Sequence, residues 1–138
     1  MAALPDLADI LEDFELLDRE DRYRLLIELG RKLEPMPAVL KTEATKVRGC
    51  AASVWVYPTR TADGRLHFLA DSNAAITKGI VALVLAAVQD KPAEEVARLD
   101  VAAALAPFDL SRQLSANRTQ GIPSMIALVR DTAHRLAA

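Results

Sequence analysis

Residues 80–88, Ile-Val-Ala-Leu-Val-Leu-Ala-Ala-Val, are apolar without a break. The run is under half the length of about 20 residues that a membrane-spanning helix needs, so it belongs inside a protein rather than in a bilayer. Extended back to Ala74 it reads as one helix, Ala74 to Val88, on which Ile76, Ile80, Leu83, Val84 and Ala87 make a wide apolar face. Ser72 or Asn73 is the expected N-cap. Nearly the whole of such a helix must be buried, so the rest of the chain has to wrap around it. The length permits this: a globule of 138 residues buries roughly 68–70% of the surface that its unfolded chain exposes. One domain over residues 1–138 is expected.

The flanking segments show what does the wrapping. Leu7, Ile10, Leu11, Phe14 and Leu17 recur at helical spacing behind Pro5, which predicts a short amphipathic helix ending near Leu17. Asp18 then suits an N-cap, with Asp21 three residues on, and Tyr23, Leu26, Ile27 and Leu33 mark the inner face of a second helix that stops before Pro35. Met36 to Lys46 has no clear period and reads as a loop. Ser53 to Tyr57 is β-branched and aromatic, and Arg65 to Asp71 alternates Leu66, Phe68 and Ala70 against His67, Leu69 and Asp71, so two strands are predicted. Asp63-Gly64 between them tolerates positive φ, which predicts an antiparallel hairpin with Ser53 opposite Ala74. Pro92, Glu94 and Glu95 open a further short helix, and Pro107 limits the segment after it. Arg118 to Gly121 leads into a last helix carrying Met125, Leu128, Val129 and Leu136 on one face. The expected fold is α+β: a small antiparallel hairpin packed by N- and C-terminal helices.

Composition excludes several functions. Lys and Arg number 17 against 19 Asp and Glu, a net charge of −2, which gives a phosphate backbone no long-range attraction; nucleic acid is not an expected partner. Met1 to Ile10 has no basic segment ahead of an apolar one and carries Asp6 and Asp9, so no signal peptide is read and the cytoplasm is the expected location, with no membrane partner. A single cysteine, Cys50, cannot form an internal disulfide or supply the several thiolates of a structural zinc or iron–sulfur site, so no metal is expected.

Any chemistry at Cys50 is therefore one-thiol chemistry. It stands in Val47-Arg48-Gly49-Cys50-Ala51-Ala52, between an irregular segment and a strand. Gly49 frees the backbone for a turn, and Ala51 and Ala52 keep bulk away, so the thiol can stand at a loop tip where another protein can reach it. The hairpin register brings this loop towards the first turn of the long helix. That positive helix end and the adjacent Arg48 are expected to raise the thiolate fraction of a group whose ordinary pKa is about 8.5. His67 in a strand and His134 in the last helix come with no Gly-rich or oxyanion signature, which argues against a Cys–His hydrolase. A buried structural cysteine is the competing reading, since free cysteine is among the most buried residue types.

The order of several short motifs resembles the SufE family, which includes CsdE: sulfur acceptors that activate pyridoxal-phosphate-dependent cysteine desulfurases. The similarity runs almost end to end. It comprises a helical pair, Val47-Arg48-Gly49-Cys50 with Val54-Trp55, then Phe68, Asp71-Ser72-Asn73-Ala74-Ala75-Ile76 with Lys78-Gly79, Pro92-Ala93-Glu94-Glu95, Leu114-Ser115-Ala116-Asn117-Arg118-Thr119-Gln120-Gly121, and Met125. The resemblance implies a SufE/IscU-like fold and a Cys50 that takes persulfide sulfur from a SufS/CsdA-like desulfurase and passes it to a SufBCD-like iron–sulfur scaffold. It also implies that the protein is no stand-alone enzyme and binds no cofactor, the pyridoxal phosphate belonging to the desulfurase. Asp71 and Arg118 match family positions near the cysteine loop and become, with Arg48, Gly49 and Ala51, candidates for the loop and for partner contact. Where the family pattern has serine two residues after the cysteine this chain has Ala52, and Asn117, Gln120 and Pro123 also depart from it.

Trp55 reads as a packed sheet residue with a partner contact as the alternative, and the eight acidic residues from Asp6 to Asp21 as a solvated helix face or a dock for a basic patch. Beside the sulfur carrier stand two alternatives. A cluster scaffold needs several thiolates and is disfavoured by one cysteine; a non-chemical allosteric adaptor of a desulfurase would leave Cys50 structural.

Overall fold

The computed structural model describes residues 4–137. Two helices, α1 (Leu7–Leu16) and α2 (Arg19–Arg31), lead through a 3₁₀ turn at Ala38–Leu40 to the strands β1 (Val54–Arg60) and β2 (Leu66–Ser72). The long helix α3 (Ala75–Val88) is next, then α4 (Ala93–Arg98), α5 (Val101–Leu105), a 3₁₀ turn at Ala106–Phe108, α6 (Leu110–Gln113), α7 (Ala116–Thr119) and α8 (Ile122–Ala137). This is the expected α+β arrangement of a two-stranded antiparallel sheet flanked by helices. Among the described residues no helix is long and apolar enough to cross a membrane.

α3 is enclosed on nearly every side, with Ile80, Ala82, Leu83 and Val88 fully buried. α2 lies along it, and the approach is close because two glycines meet. A Cβ on Gly30 would stand 2.9 Å from the Gly79 backbone nitrogen, and one on Gly79 would overlap the Leu26 carbonyl. β2 covers another flank through Leu66, Phe68 and Ala70, the buried half of its alternation. α5 and α8 also lie against α3, and α4 packs on α8. Phe14 of α1 meets Phe108 edge to face, with ring centroids 5.1 Å apart, which ties the N-terminal helix to the segment after α5. Asp18 caps α2 as expected, accepting from the Asp21 N–H at 2.9 Å.

Several sequence expectations need correction. Ser53 does not face Ala74: Val54 pairs with Ser72, so the ladder is one residue out of the expected register. The turn is not centred on Asp63-Gly64. Thr61 and Arg65 still pair (Thr61 N–H to Arg65 O, 2.9 Å), leaving a three-residue loop in which the Gly64 N–H closes on Thr61 O at 3.0 Å and Gly64 takes φ +85°. Neither Ser72 nor Asn73 is the N-cap of α3; Ala74 occupies that position. The strand pairing sets Asn73 against Ser53, so its side-chain oxygen accepts from the Ser53 N–H (3.0 Å), while Ser72 Oγ accepts from the Ala74 N–H (3.2 Å). The Met36–Lys46 segment is not free loop: Val56 donates to Thr45 O (2.9 Å) and Lys46 bridges Trp55, laying its end along the outer edge of β1. Lastly, residues 101–119 carry three short helices, two of them divided by a 3₁₀ turn holding Pro107, that periodicity could not reveal because each spans five residues or fewer.

Both strand edges are occupied. Val47 donates to Val54 O at 2.8 Å on the β1 side, and Pro58, two and four residues beyond Val56 and Val54, falls in the same outward phase, where a missing N–H costs no ladder bond. On the β2 side Leu66 pairs with Lys91 and Asp90 (2.9 and 2.8 Å). The Gln89 side chain copies a strand there, accepting from Phe68 N–H at 2.7 Å and donating to Phe68 O at 2.8 Å.

Candidate functional site

The cysteine loop is tied at its neck. Val47 donates to Val54 O at 2.8 Å, and the Ser53 N–H is held by Asn73 Oδ1 at 3.0 Å, so residues 48–52 bow outward from a fixed base. Gly49 takes φ +85°, a conformation that L side chains rarely adopt, and a Cβ there would also stand 3.1 Å from Ser124 Oγ of α8. The bend turns Cys50 inward onto the corner between α7 and α8.

The floor of that corner is Gly121. A Cβ built on Gly121 would stand 3.1 Å from both Cys50 Cα and Cβ and would overlap Cys50 Sγ, so the thiol rests on bare backbone. Ala51, Ala52, Thr77 of α3, Asn117 and Arg118 of α7, and Met125 of α8 complete the surround, and the space left among them is too small for a water molecule. Cys50 is half-buried.

This corrects the expected electrostatics. The first turn of α3 does approach the loop, through Thr77, but the thiol is not shifted towards thiolate. Burial pushes it up from its ordinary value. Arg48 is exposed and, among the described residues, makes no hydrogen bond or ion pair. The thiol does not stand free at a loop tip either; Gly49 and Ala51 are exposed while the side chain between them points in.

The remaining candidates separate. Arg118 shares the lining around Cys50, with its guanidinium 5.4 Å from the centroid of the Tyr23 ring and Nη1 donating to the Tyr23 hydroxyl. Asp71 does not touch the thiol. On β2 opposite Trp55, it forms ion pairs with Lys41 (2.5 Å) and Lys78 (3.2 Å) and accepts from the Ser72 N–H (2.8 Å). Burial acts to raise its pKa, but these partners outweigh it and hold the carboxyl below the usual range. Lys41 in turn lies 5.7 Å from the centroid of the Trp55 ring.

Sequence reasoning misses Gly121 as the floor, and Thr77, Ser124 and Tyr23 as neighbours of the loop or its flank. Gly121 is visible there only as the last residue of a motif; nothing in spacing says that a residue 71 positions away from Cys50 lies under its sulfur. His67, on sequence an ordinary strand residue, is forked between two carboxylates, Nδ1 at 2.7 Å from Asp90 Oδ1 and Nε2 at 2.9 Å from Glu34 Oε1. Among the described residues no group of three or more His, Cys, Asp or Glu is arranged to hold a metal ion.

The chain is similar to known proteins along nearly its whole length. The family model described as "SufE: Fe-S metabolism associated domain" matches residues 8–133. An uncharacterised SufE-like protein of Rhizobium meliloti (strain 1021) is 40% identical over 134 residues, covering 94% of this chain and 96% of its own. A second, from Rhizobium etli, is 39% identical over 139 residues, covering 98% and 94%. A solution structure of a hypothetical protein from Thermus thermophilus superposes with a TM-score of 0.76 over 98% of both chains at 19% identity, a likeness of fold.

Proposed function

Because the chain belongs to the SufE family, whose role is sulfur transfer in iron–sulfur metabolism, we propose that Cys50 is the residue that carries the sulfur. The Cys50 thiolate attacks the outer sulfur of a persulfide on the active-site cysteine of a pyridoxal-phosphate-dependent desulfurase. A new S–S bond forms at Cys50 Sγ as the donor's S–S bond breaks, and the donor leaves as a thiolate, so no external oxidant or reductant is required. The desulfurase, relieved of its sulfur, turns over faster, and the loaded Cys50 gives the sulfur to a SufBCD-like assembly scaffold.

The observation carrying this reading is the placement of the chain's only cysteine at the apex of a loop with a fixed neck and a left-handed glycine beside it. A merely structural cysteine would sit in an element of the core, whereas this one is half-buried in a loop with exposed residues, Gly49 and Ala51, on both sides. The raised thiol pKa fits a carrier at rest: the protonated sulfur is a poor nucleophile until a partner draws the loop out. Arg48 and Arg118 flank the apex as partner contacts, and Asp71 works at one remove by fixing Lys41 and Lys78 beside it.

Intact-protein mass after incubation with a desulfurase, pyridoxal phosphate and cysteine tests the proposal. The chain should gain one sulfur atom and stimulate cysteine turnover, and Cys50→Ser should do neither. If Cys50→Ser keeps the full stimulation, the protein is an allosteric adaptor and the carrier reading fails.

A further inference from the structure

We infer that Tyr23 is a positioning residue for Arg118. From α2 it draws the guanidinium to one flank of the cysteine corner, and so withholds from Cys50 the cation that shares its lining.

The two residues come from elements 95 positions apart. Tyr23 is a fixed point: it is half-buried on α2 and packs against the core, and α2 itself lies tight on α3. Arg118 is exposed and stands near the end of α7, a helix of only four residues. Its guanidinium carbon lies 5.4 Å from the centroid of the Tyr23 ring, and Nη1 donates to the Tyr23 hydroxyl. Two attractions therefore hold the same head, that of the ring face for a cation and that of the phenol oxygen for a charged donor. Among the described residues no carboxylate forms an ion pair with Arg118. Tyr23 is thus what sets the direction of this side chain.

Arg118 also borders the small space around Cys50, and among the described residues it is the only charged one that does. Arg48, two positions before Cys50, is exposed, and Lys78, which follows Thr77 on α3, is turned to Asp71 at 3.2 Å. A guanidinium bonds an anionic acceptor more strongly than a neutral phenol oxygen, so the cation leaves Tyr23 for the sulfur only once Cys50 ionises. The energy of the Tyr23 contact is then a cost added to that ionisation, on top of the cost of burial. Both keep the resting thiol protonated. A partner that takes over the Tyr23 hydroxyl releases a cation to the sulfur at the moment of transfer.

This role deepens the reading of Cys50 as a sulfur carrier, but the purified chain alone tests it. Cys50 is the only cysteine, so the pH dependence of alkylation by iodoacetamide reports on it alone. Tyr23→Phe removes the phenol oxygen and keeps the ring; Tyr23→Leu removes both. The alkylation midpoint should fall in both variants, and further in Tyr23→Leu. There it should drop by about half a pH unit, with a roughly threefold faster reaction at neutral pH, the size of one exposed ionic contact. A Tyr23 that merely props up the corner would loosen the thiol whatever residue 118 is, so the second arm is a double-mutant cycle. Tyr23→Leu made on Arg118→Met should leave the midpoint of Arg118→Met unchanged. A wild-type midpoint in both Tyr23 variants would overturn the inference, and so would a fall that persists without Arg118. Failure of a desulfurase to load Cys50 would count against the carrier role instead and would not move these midpoints.

Discussion

Asp71 shows how one side chain can matter to a site that it never touches. Its carboxylate, 16% exposed, is shared between Lys41, just after the 3₁₀ turn, and Lys78 of α3, whose first turn approaches the cysteine loop, so a single charge joins the two segments. Replacing it by asparagine keeps the shape and the bond from the Ser72 N–H but leaves two ammonium groups unpaired. Asp71→Asn should lower stability by about 1 kcal/mol in urea denaturation. It should also shift the emission of Trp55, the only tryptophan, by releasing Lys41 from the ring. Because the folded carboxyl titrates below its ordinary value of about 3.9, its stabilisation is complete above that pH and is lost as the pH falls through the lower folded value. The variant should flatten that acid limb. At this scale the sequence reveals identities better than neighbours. Cys50 stands out because it is single, and Gly49 because it precedes it. The pairing of Asp71 with Lys41 across 30 positions, and the meeting of Cys50 with Gly121, depend on how helices pack and leave no local trace.

Among the elements, the contact of α2 with α3 is the most demanding. Glycine in the middle of a helix ordinarily costs about 1 kcal/mol relative to alanine, so Gly79→Ala would be stabilising on propensity alone. Here the added methyl would enter the Leu26 carbonyl, and the crossing must widen. Gly79→Ala should instead destabilise by about 3 kcal/mol, and Gly30→Ala by less, since its nearest backbone contact is 2.9 Å rather than an overlap; urea midpoints compare the two. The long elements are legible in the sequence because period and burial agree: α1, α2, α3 and α8 each repeat an apolar face, and β2 alternates. The hairpin is legible too, but its register slips by one residue, because Asp63-Gly64 belongs equally well to a two-residue turn and to a three-residue loop with glycine at its last position. The four- and five-residue helices at 101–119 are too short to show a period at all.

For the molecule as a whole, His67 joins three parts: its ring on β2 reaches Glu34 after α2 and Asp90 between α3 and α4. Burial favours the neutral ring, but the hydrogen bonds and charges of Asp90 and Glu34 prevail, and its pKa lies above the ordinary value. The folded chain therefore prefers the charged imidazolium. The clamp is at full strength below about pH 6.5, the unfolded value, and weakens as the pH rises through the higher folded one. Wild type should lose about 1 kcal/mol at most between about pH 6 and pH 8.5, since solvent screens both half-exposed carboxylates, and His67→Gln should abolish that slope in paired urea titrations.

The covered rim of the sheet also limits how other proteins can approach. Thr45 and Val47 line one side of the hairpin, Gln89 to Lys91 the other, and Pro58 offers no hydrogen to a newcomer. Recognition by β-augmentation has nowhere to begin, so a binding protein must grip loops and helical surfaces.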